Sequence, residues 1–212
     1  TGLIMSILLI QLIAVIGAWA TSRASAAFGN IKTLMFINFL WIIICTYAYF
    51  VVTPNDFYIA AASGGIFKTK NKGRTWKPIF DEQLSLSIGD IAISKSNPEV
   101  LYVGTGEANA GGGSITYDGV GVFKSIDAGK NWSHLGLEKS RNIGRIIVHP
   151  SNPDIVYVAA MGSLFANNEE RGVFKSVDGG KTWEKTLYLS DSTGCIDLAI
   201  HPSAPNIVYA AM

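Results

Sequence analysis

The 212-residue chain carries 17 basic and 16 acidic residues, a formal net charge of +1, and so lacks the basic footprint of a nucleic-acid-binding protein. Two cysteines, Cys45 and Cys195, are too few for a disulfide framework and read as buried small hydrophobes. The 49% hydrophobic content conceals two different materials: residues 1–55 hold no Asp or Glu and only Arg23 and Lys32, whereas all 16 acidic and the remaining 15 basic residues lie from Asp56 onward.

Residues 3–20 form an apolar run broken only by Ser6, Gln11 and Gly17, and residues 34–52 form a second one. As helices they span about 27–29 Å, the thickness of a bilayer's hydrocarbon core, which predicts a two-helix transmembrane hairpin over residues 1–54. The connecting loop, residues 21–33, holds the only two charges, both positive. The positive-inside rule then places the loop in the cytoplasm and everything after Val52 on the periplasmic or extracellular side. The membrane, engaged through residues 3–52, is thus the first predicted partner.

From Phe57 the chain repeats itself. Gly172-Val-Phe-Lys-Ser-Val-Asp-Gly-Gly-Lys-Thr-Trp183 recurs as Gly121-Val-Phe-Lys-Ser-Ile-Asp-Ala-Gly-Lys-Asn-Trp132 and, more loosely, as Gly65-Ile-Phe-Lys-Thr-Lys-Asn-Lys-Gly-Arg-Thr-Trp76. Alternating apolar and polar residues, a break at Asp/Asn-x-Gly and a restart on Trp read as strand, tight turn and strand. Tyr102, Tyr157 and Tyr209 keep the same phase, as do Asn97-Pro98, Asn152-Pro153 and Ala204-Pro205. A period near 50 with four short strands, for example 143–148, 155–161, 172–177 and 183–187, is that of a β-propeller blade. The fold expected for residues 55–212 is an all-β, incomplete propeller of about three blades. Its first unit lacks an opening strand and its last stops after two, so 13 strands are expected, and a closed ring needs at least about 16. A chain that starts at Thr1 and stops at Met212 within a repeat reads as part of a longer reading frame.

In each turn the Asp or Asn accepts backbone N–H groups, the Gly takes a positive φ, and the Trp covers the hairpin. These residues, Asn71, Gly73, Trp76, Asp127, Gly129, Trp132, Asp178, Gly180 and Trp183, are therefore assigned an architectural role. His149 and His201 stand at equivalent positions before Pro and are assigned to turn packing.

Ligand-binding candidates are sought in the two longest inter-strand loops, 106–119 and 162–171, with Glu107, Asn109 and Asp118 in the first and Glu169, Glu170 and Arg171 in the second. Loops on a rigid scaffold commonly carry binding groups, and solvated insertions are the alternative. Glu107 with Asp118 is the one candidate acid–base pair, at a separation the sequence leaves open. No catalytic residue, metal-ligand set or cofactor motif is otherwise assigned.

Two resemblances follow from these residues. The pattern Ser/Thr-x-Asp-x-Gly-x-x-Trp resembles the Asp-box of BNR-repeat propellers, found in sialidases, xyloglucan-cleaving hydrolases and the sortilin luminal domain. With Ile88-Gly-Asp-Ile-Ala-Ile, Tyr102-Val-Gly-Thr-Gly-Glu-Ala-Asn and Ile143-Gly-Arg-Ile-Ile-Val-His-Pro, residues 57–212 are similar to bacterial secreted proteins with a sortilin-type N-terminal propeller. The resemblance implies a glycan or protein ligand. Sialidases also use an arginine cluster, which has no matching motif among Arg141, Arg145 and Arg171. Leu8-Leu-Ile-Gln-Leu-Ile-Ala-Val-Ile-Gly-Ala, Phe28-Gly-Asn-Ile-Lys-Thr-Leu and Tyr47-Ala-Tyr-Phe-Val-Val-Thr-Pro resemble two helices of a major facilitator transporter, in the branch of autophagy-type vacuolar amino-acid permeases.

Three functions are consequently open: an outward-facing, membrane-tethered binding module that is not catalytic by itself; part of a glycan-degrading hydrolase; or a transporter piece joined to a propeller by an artefactual fusion near residues 54–65.

Overall fold

The computed structural model describes residues 56–108 and 117–212, together with Arg23, Gly29, Lys32, Met35 and Phe39. The chain divides into two compact units, Thr1–Pro54 and Asn55–Met212. In the first, Arg23, Lys32, Met35 and Phe39 are helical and exposed; the expected hairpin otherwise lies outside the described residues, as does Asn109. Among the described residues no helix is long and apolar enough to cross a membrane.

The second unit is built of short antiparallel strands in meanders. Its strands are β1 (Phe57–Ala61), β2 (Gly65–Thr69), β3 (Lys77–Pro78), β4 (Ile88–Ile93), β5 (Leu101–Thr105), β6 (Val122–Ser125), β7 (Ser133–His134), β8 (Ile143–Val148), β9 (Val156–Ala160), β10 (Gly172–Ser176), β11 (Glu184–Leu187), β12 (Asp197–Ile200) and β13 (Val208–Ala211). They form sheets ordered β1-β2-β3, β4-β5-β6-β7, β8-β9-β10-β11 and β12-β13. Among the described residues the strand inventory read from the repeats is reproduced, with three strands in the first sheet, four in each of the next two and two in the last.

Hydrogen bonds outside the ladders, to backbone carbonyls and to side chains, set the strand ends. Met161, expected inside a strand, donates its N–H to Asn142 instead, and Ile155 closes a turn onto Asn152. Strand β10 ends at Ser176 because its hydroxyl is drawn into the following turn. At the turns between first and second strands, His149 and His201 each accept backbone N–H groups at Nδ1, from Ser151 (3.3 Å) and from Ser203 and Ala204 (3.2 and 3.1 Å). Ser94 does the same work with its hydroxyl, accepting from Asn97 at 3.2 Å.

Successive first strands touch backbone to backbone. A Cβ on Gly89 would lie 2.0 Å from the carbonyl oxygen of Ile143, and one on Gly144 would lie 2.3 Å from that of Ile196. Glycine is the residue that permits this approach, and both positions coincide with bulges in the ladder to the second strand. The first strands thus form the inner wall of a radial array, and the two-residue β3 and β7 lie at its exposed rim.

Apolar layers fill the space between sheets. Ile66, Phe80, Ile88, Val103 and Phe123 join the first sheet to the second, and Tyr102, Val122, Ile143, Ile146, Val158 and Phe174 join the second to the third. Phe80 meets both Phe123 and Trp132 edge to face, with centroids 5.2 and 5.0 Å apart, a geometry that adds to the burial term.

Candidate functional site

The three box motifs are self-contained polar turns. Ser125 Oγ donates to Asp127 Oδ1 and accepts from the N–H of Gly129, both at 2.8 Å. Asp127 in turn accepts from the N–H groups of Lys130 and Asn131 at 2.9 Å and from Asn131 Nδ2 at 2.7 Å. Ser176, Asp178 and Thr182 repeat the network, and Thr69, Asn71 and Thr75 rebuild it with an amide in place of the carboxylate. The carboxyl of Asp127 is held down at about 2 by the backbone and side chain of Asn131. That of Asp178 is held well below the usual carboxylate range by the N–H and hydroxyl of Thr182. Both side chains are occupied by the turn.

The box glycines and tryptophans act between sheets. Trp132 Nε1 donates to the carbonyl of Ile79 at 2.7 Å, and Trp183 Nε1 to that of Leu135 at 2.8 Å, each in the preceding sheet. Gly129 (φ +85°) and Gly180 (φ +91°) seat the side chains of the same two residues: a Cβ there would meet Ile79 Cδ1 at 2.5 Å and Leu135 Cδ1 at 2.4 Å. Each Trp ring still lies over its own hairpin, where a Cβ on Gly129 or Gly180 would meet Cζ2 of Trp132 or Trp183 at 3.5 or 3.3 Å, while its N–H reaches back to the previous repeat. Gly73 and Trp76 have no such aliphatic partner among the described residues.

The predicted loop residues separate into two groups. Arg171 is a correction: it is buried, and its guanidinium donates to the carbonyls of Met161, Ser163 and Ala166, clasping its own loop. A guanidinium needs several acceptors to be buried, and those carbonyls are already supplied within the loop. Glu107 is half-buried, and its N–H donates to the Tyr117 carbonyl at 3.3 Å.

Asp118, Glu169 and Glu170 converge. With Gly119, Glu138, Lys139, Arg141 and Asn168 they line a polar depression of about 570 Å³ where the second loops of neighbouring sheets meet. Arg141 pairs with Asp118 through its guanidinium, and its carbonyl accepts the N–H of Gly119 at 2.6 Å. Asn142, fully buried, donates to Gly162 at 3.1 Å and to Asp118 at 3.4 Å. Asn168 caps Glu170 (2.9 Å) and donates to the Lys139 carbonyl at 3.0 Å. Arg141 also holds a strained backbone, φ +55° and ψ −59°, next to a one-turn 3-10 segment at Glu138–Ser140. Strain of that kind persists where surrounding contacts over-determine it. Asn168 belongs to the second predicted loop, whereas Glu138, Lys139 and Arg141 were missed as site residues by sequence reasoning; the available signal was the polar segment that closes each repeat before the next inner strand. Among the described residues no group of His, Cys, Asp and Glu is arranged to hold a metal ion.

Residues 174–185 match the family model for the BNR/Asp-box repeat. No curated protein matches the sequence. Among solved structures, the chain is similar to an ancestral GH74 enzyme at 20% identity, with a TM-score of 0.58 over 74% of this chain and 20% of that one. It is also similar to the GH74 enzyme of Niastella koreensis, at 22% identity and a TM-score of 0.51, covering 71% of this chain and 23% of that one. The chain therefore spans about a fifth of the length of these structures. Together they establish the fold of the second unit as a segment of β-propeller built on Asp-box repeats.

Proposed function

We propose that residues 55–212 form a glycan-binding propeller module, tethered to a membrane through residues 3–52 and facing the periplasmic or extracellular side. One observation carries the binding assignment: the depression around Asp118 and Arg141 presents a carboxylate and a guanidinium that pair with each other, and an amide, that of Asn168, held on the Lys139 carbonyl. Fixed planar groups of this kind match the paired hydroxyls of sugars and lose little conformational entropy on binding. Asp118 is engaged by Arg141 and Asn142, which favours a holding role over acid–base work. Affinity electrophoresis against a polysaccharide panel that includes xyloglucan tests the reading. Retention on at least one glycan, weakened roughly tenfold or more by Arg141→Ala, is expected; migration unaffected by every glycan overturns it.

A second reading, part of a glycan-degrading hydrolase, is supported by the likeness to GH74 enzymes. Release of reducing sugar from a retained polysaccharide would favour it. The transporter-like reading of residues 1–60 and the join at 54–65 are tested by continuous sequencing of genomic DNA across that junction.

A further inference from the structure

The residue that faces the Phe of each Gly-Val/Ile-Phe-Lys strand varies in step with the loop that precedes that strand. It is Pro78 opposite Phe67, His134 opposite Phe123 and Lys185 opposite Phe174. Strands β1 and β2 are joined by residues 62–64 alone, whereas residues 106–121 join β5 to β6 and residues 161–171 join β9 to β10. A side chain with a nitrogen donor thus stands opposite the Phe in the two sheets with a long second loop. In the sheet with the tight turn the same place holds proline, which has no donor to offer.

Both donors act on those loops. Lys185 Nζ donates to the Glu169 carbonyl at 2.5 Å and lies 3.8 Å from Glu170 Oε2, while resting 5.4 Å from the centre of the Phe174 ring. The His134 ring packs on Phe123, with centroids 4.9 Å apart, and its Nε2 lies 2.6 Å from the Val120 carbonyl oxygen. A carbonyl only accepts, so Nε2 carries the proton and donates it. Nδ1 of the same ring lies 3.6 Å from the Glu138 carboxylate. Glu138, Glu169 and Glu170 line the depression, and Val120 follows Gly119, which also lines it. His134 and Lys185 do not line it. Each reaches its wall from an outer strand, across an aromatic ring, through two contacts.

We propose that His134 and Lys185 are positioning residues of the depression. From the outer strands of neighbouring sheets they set the walls that carry residues 118–120 and Glu138 on one side and Glu169 and Glu170 on the other. The role rests on the reading of the depression as a binding site. Its physical reason is the path of the loops: backbone outside a ladder keeps one arrangement only where other groups supply the missing partners. Thr105 accepts the Val120 N–H at 2.8 Å, and Asn168 accepts the Glu170 N–H at 2.9 Å. His134 and Lys185 provide the donors for carbonyls of the same two segments, Val120 and Glu169. A short bond from an ammonium is stronger than an exposed ion pair at 3.8 Å, so on the Lys185 side the carbonyl bond does most of the holding.

Hydrogen exchange of the full chain in mild detergent, read by mass spectrometry, tests the positioning role without any ligand. Lys185→Met keeps a stem over Phe174 and removes the donor; His134→Leu keeps the contact with Phe123 and removes both nitrogens. Exchange should quicken on the order of tenfold in residues 162–171 for the first variant and in residues 117–121 for the second, with β5 and β9 unchanged. Lys185→Arg, and His134→Gln with its amide N–H in place of Nε2–H, should restore the native rates. Uniform quickening across the strands, or no change in either segment, overturns the proposal. On a glycan that the native chain retains, Lys185→Met and His134→Leu should each weaken retention about three- to tenfold, and the Arg and Gln variants should recover it. Weakening that Arg and Gln fail to recover also overturns the positioning role. A native chain that no glycan retains overturns the glycan reading instead, and the exchange pattern then decides the positioning role by itself.

Discussion

Arg145 Nε lies 2.7 Å from Asp197 Oδ1, across 52 residues of sequence, and Arg145 Nη1 lies 3.6 Å from Asp90 Oδ1 on its other side. The three residues occupy the same position of successive inner strands, β4, β8 and β12, so a charge alternation by repeat becomes a ladder around the propeller axis. Asp90 also accepts the N–H of Ile146 at 2.8 Å, tying the first complete sheet to the next. Replacing Arg145 by Met leaves the largely buried Asp90 without its cation and is expected to cost about 1–3 kcal/mol in chemical denaturation. A smaller loss is expected from Asp197→Asn, whose carboxylate is exposed.

Acid should act mainly through the boxes. The carboxyls of Asp127 and Asp178 are held below their ordinary values by turn N–H groups, so the folded state binds their protons less readily than the unfolded chain. Their stabilising contribution is present above about pH 4 and is lost as pH falls toward 2. Asp90 has the opposite sign, because burial raises its carboxyl and the folded state takes up its proton first, and this partly offsets the loss. Melting temperature measured between pH 7 and pH 2 should therefore drop most steeply below pH 4. Asp127→Asn with Asp178→Asn should flatten that drop while changing little at neutral pH, since Asn71 already fills the equivalent place in the first box.

Gly144→Ala should be among the most damaging small substitutions in the chain. The added methyl would lie 2.3 Å from the backbone carbonyl of Ile196, and only movement of one inner strand relative to the next can relieve it. A loss of about 3 kcal/mol or more is expected by urea denaturation. Gly180→Ala meets the flexible end of Leu135 and should cost less, about 1–2 kcal/mol, chiefly from its φ of +91°.

Trp132→Phe keeps most of the ring packing against Phe80 and removes the N–H bonded to Ile79. The orphaned carbonyl predicts a loss of about 1–2 kcal/mol, and Trp132→Ala, which also empties the space beside Phe80, about 3–5 kcal/mol. Equal losses from the two variants would show that the hydrogen bond carries the contact.

Cys195 is fully buried among Ala159, Val173 and Leu198, and burial pushes its thiol up to about 11. In a Cys45→Ser chain at pH 8, labelling should be on the order of 100-fold slower in the folded state than in denaturant, and should accelerate with the opening of the last sheet. Fast labelling of the native chain would show β12 to be loosely held.

The sequence by itself determined the repeat, the Asp-box turns and the strand inventory, because each rests on local rules: alternation for strands, an Asp or Asn accepting turn N–H groups, and a glycine at positive φ. It also picked the two loops that build the depression, since a long insertion between regular strands shows in the spacing. Tertiary structure alone decided which loop residues face the depression. Arg171 looked like a ligand-binding cation and proved to be an internal clasp, because the carbonyls it serves come from a loop whose path cannot be read from residue types. Arg141 entered the site through a strained backbone anchored on Gly119, and Arg145 found two carboxylates one repeat away on either side. Such pairings depend on how sheets stack around an axis, which brings together residues some fifty positions apart by packing that no local pattern encodes.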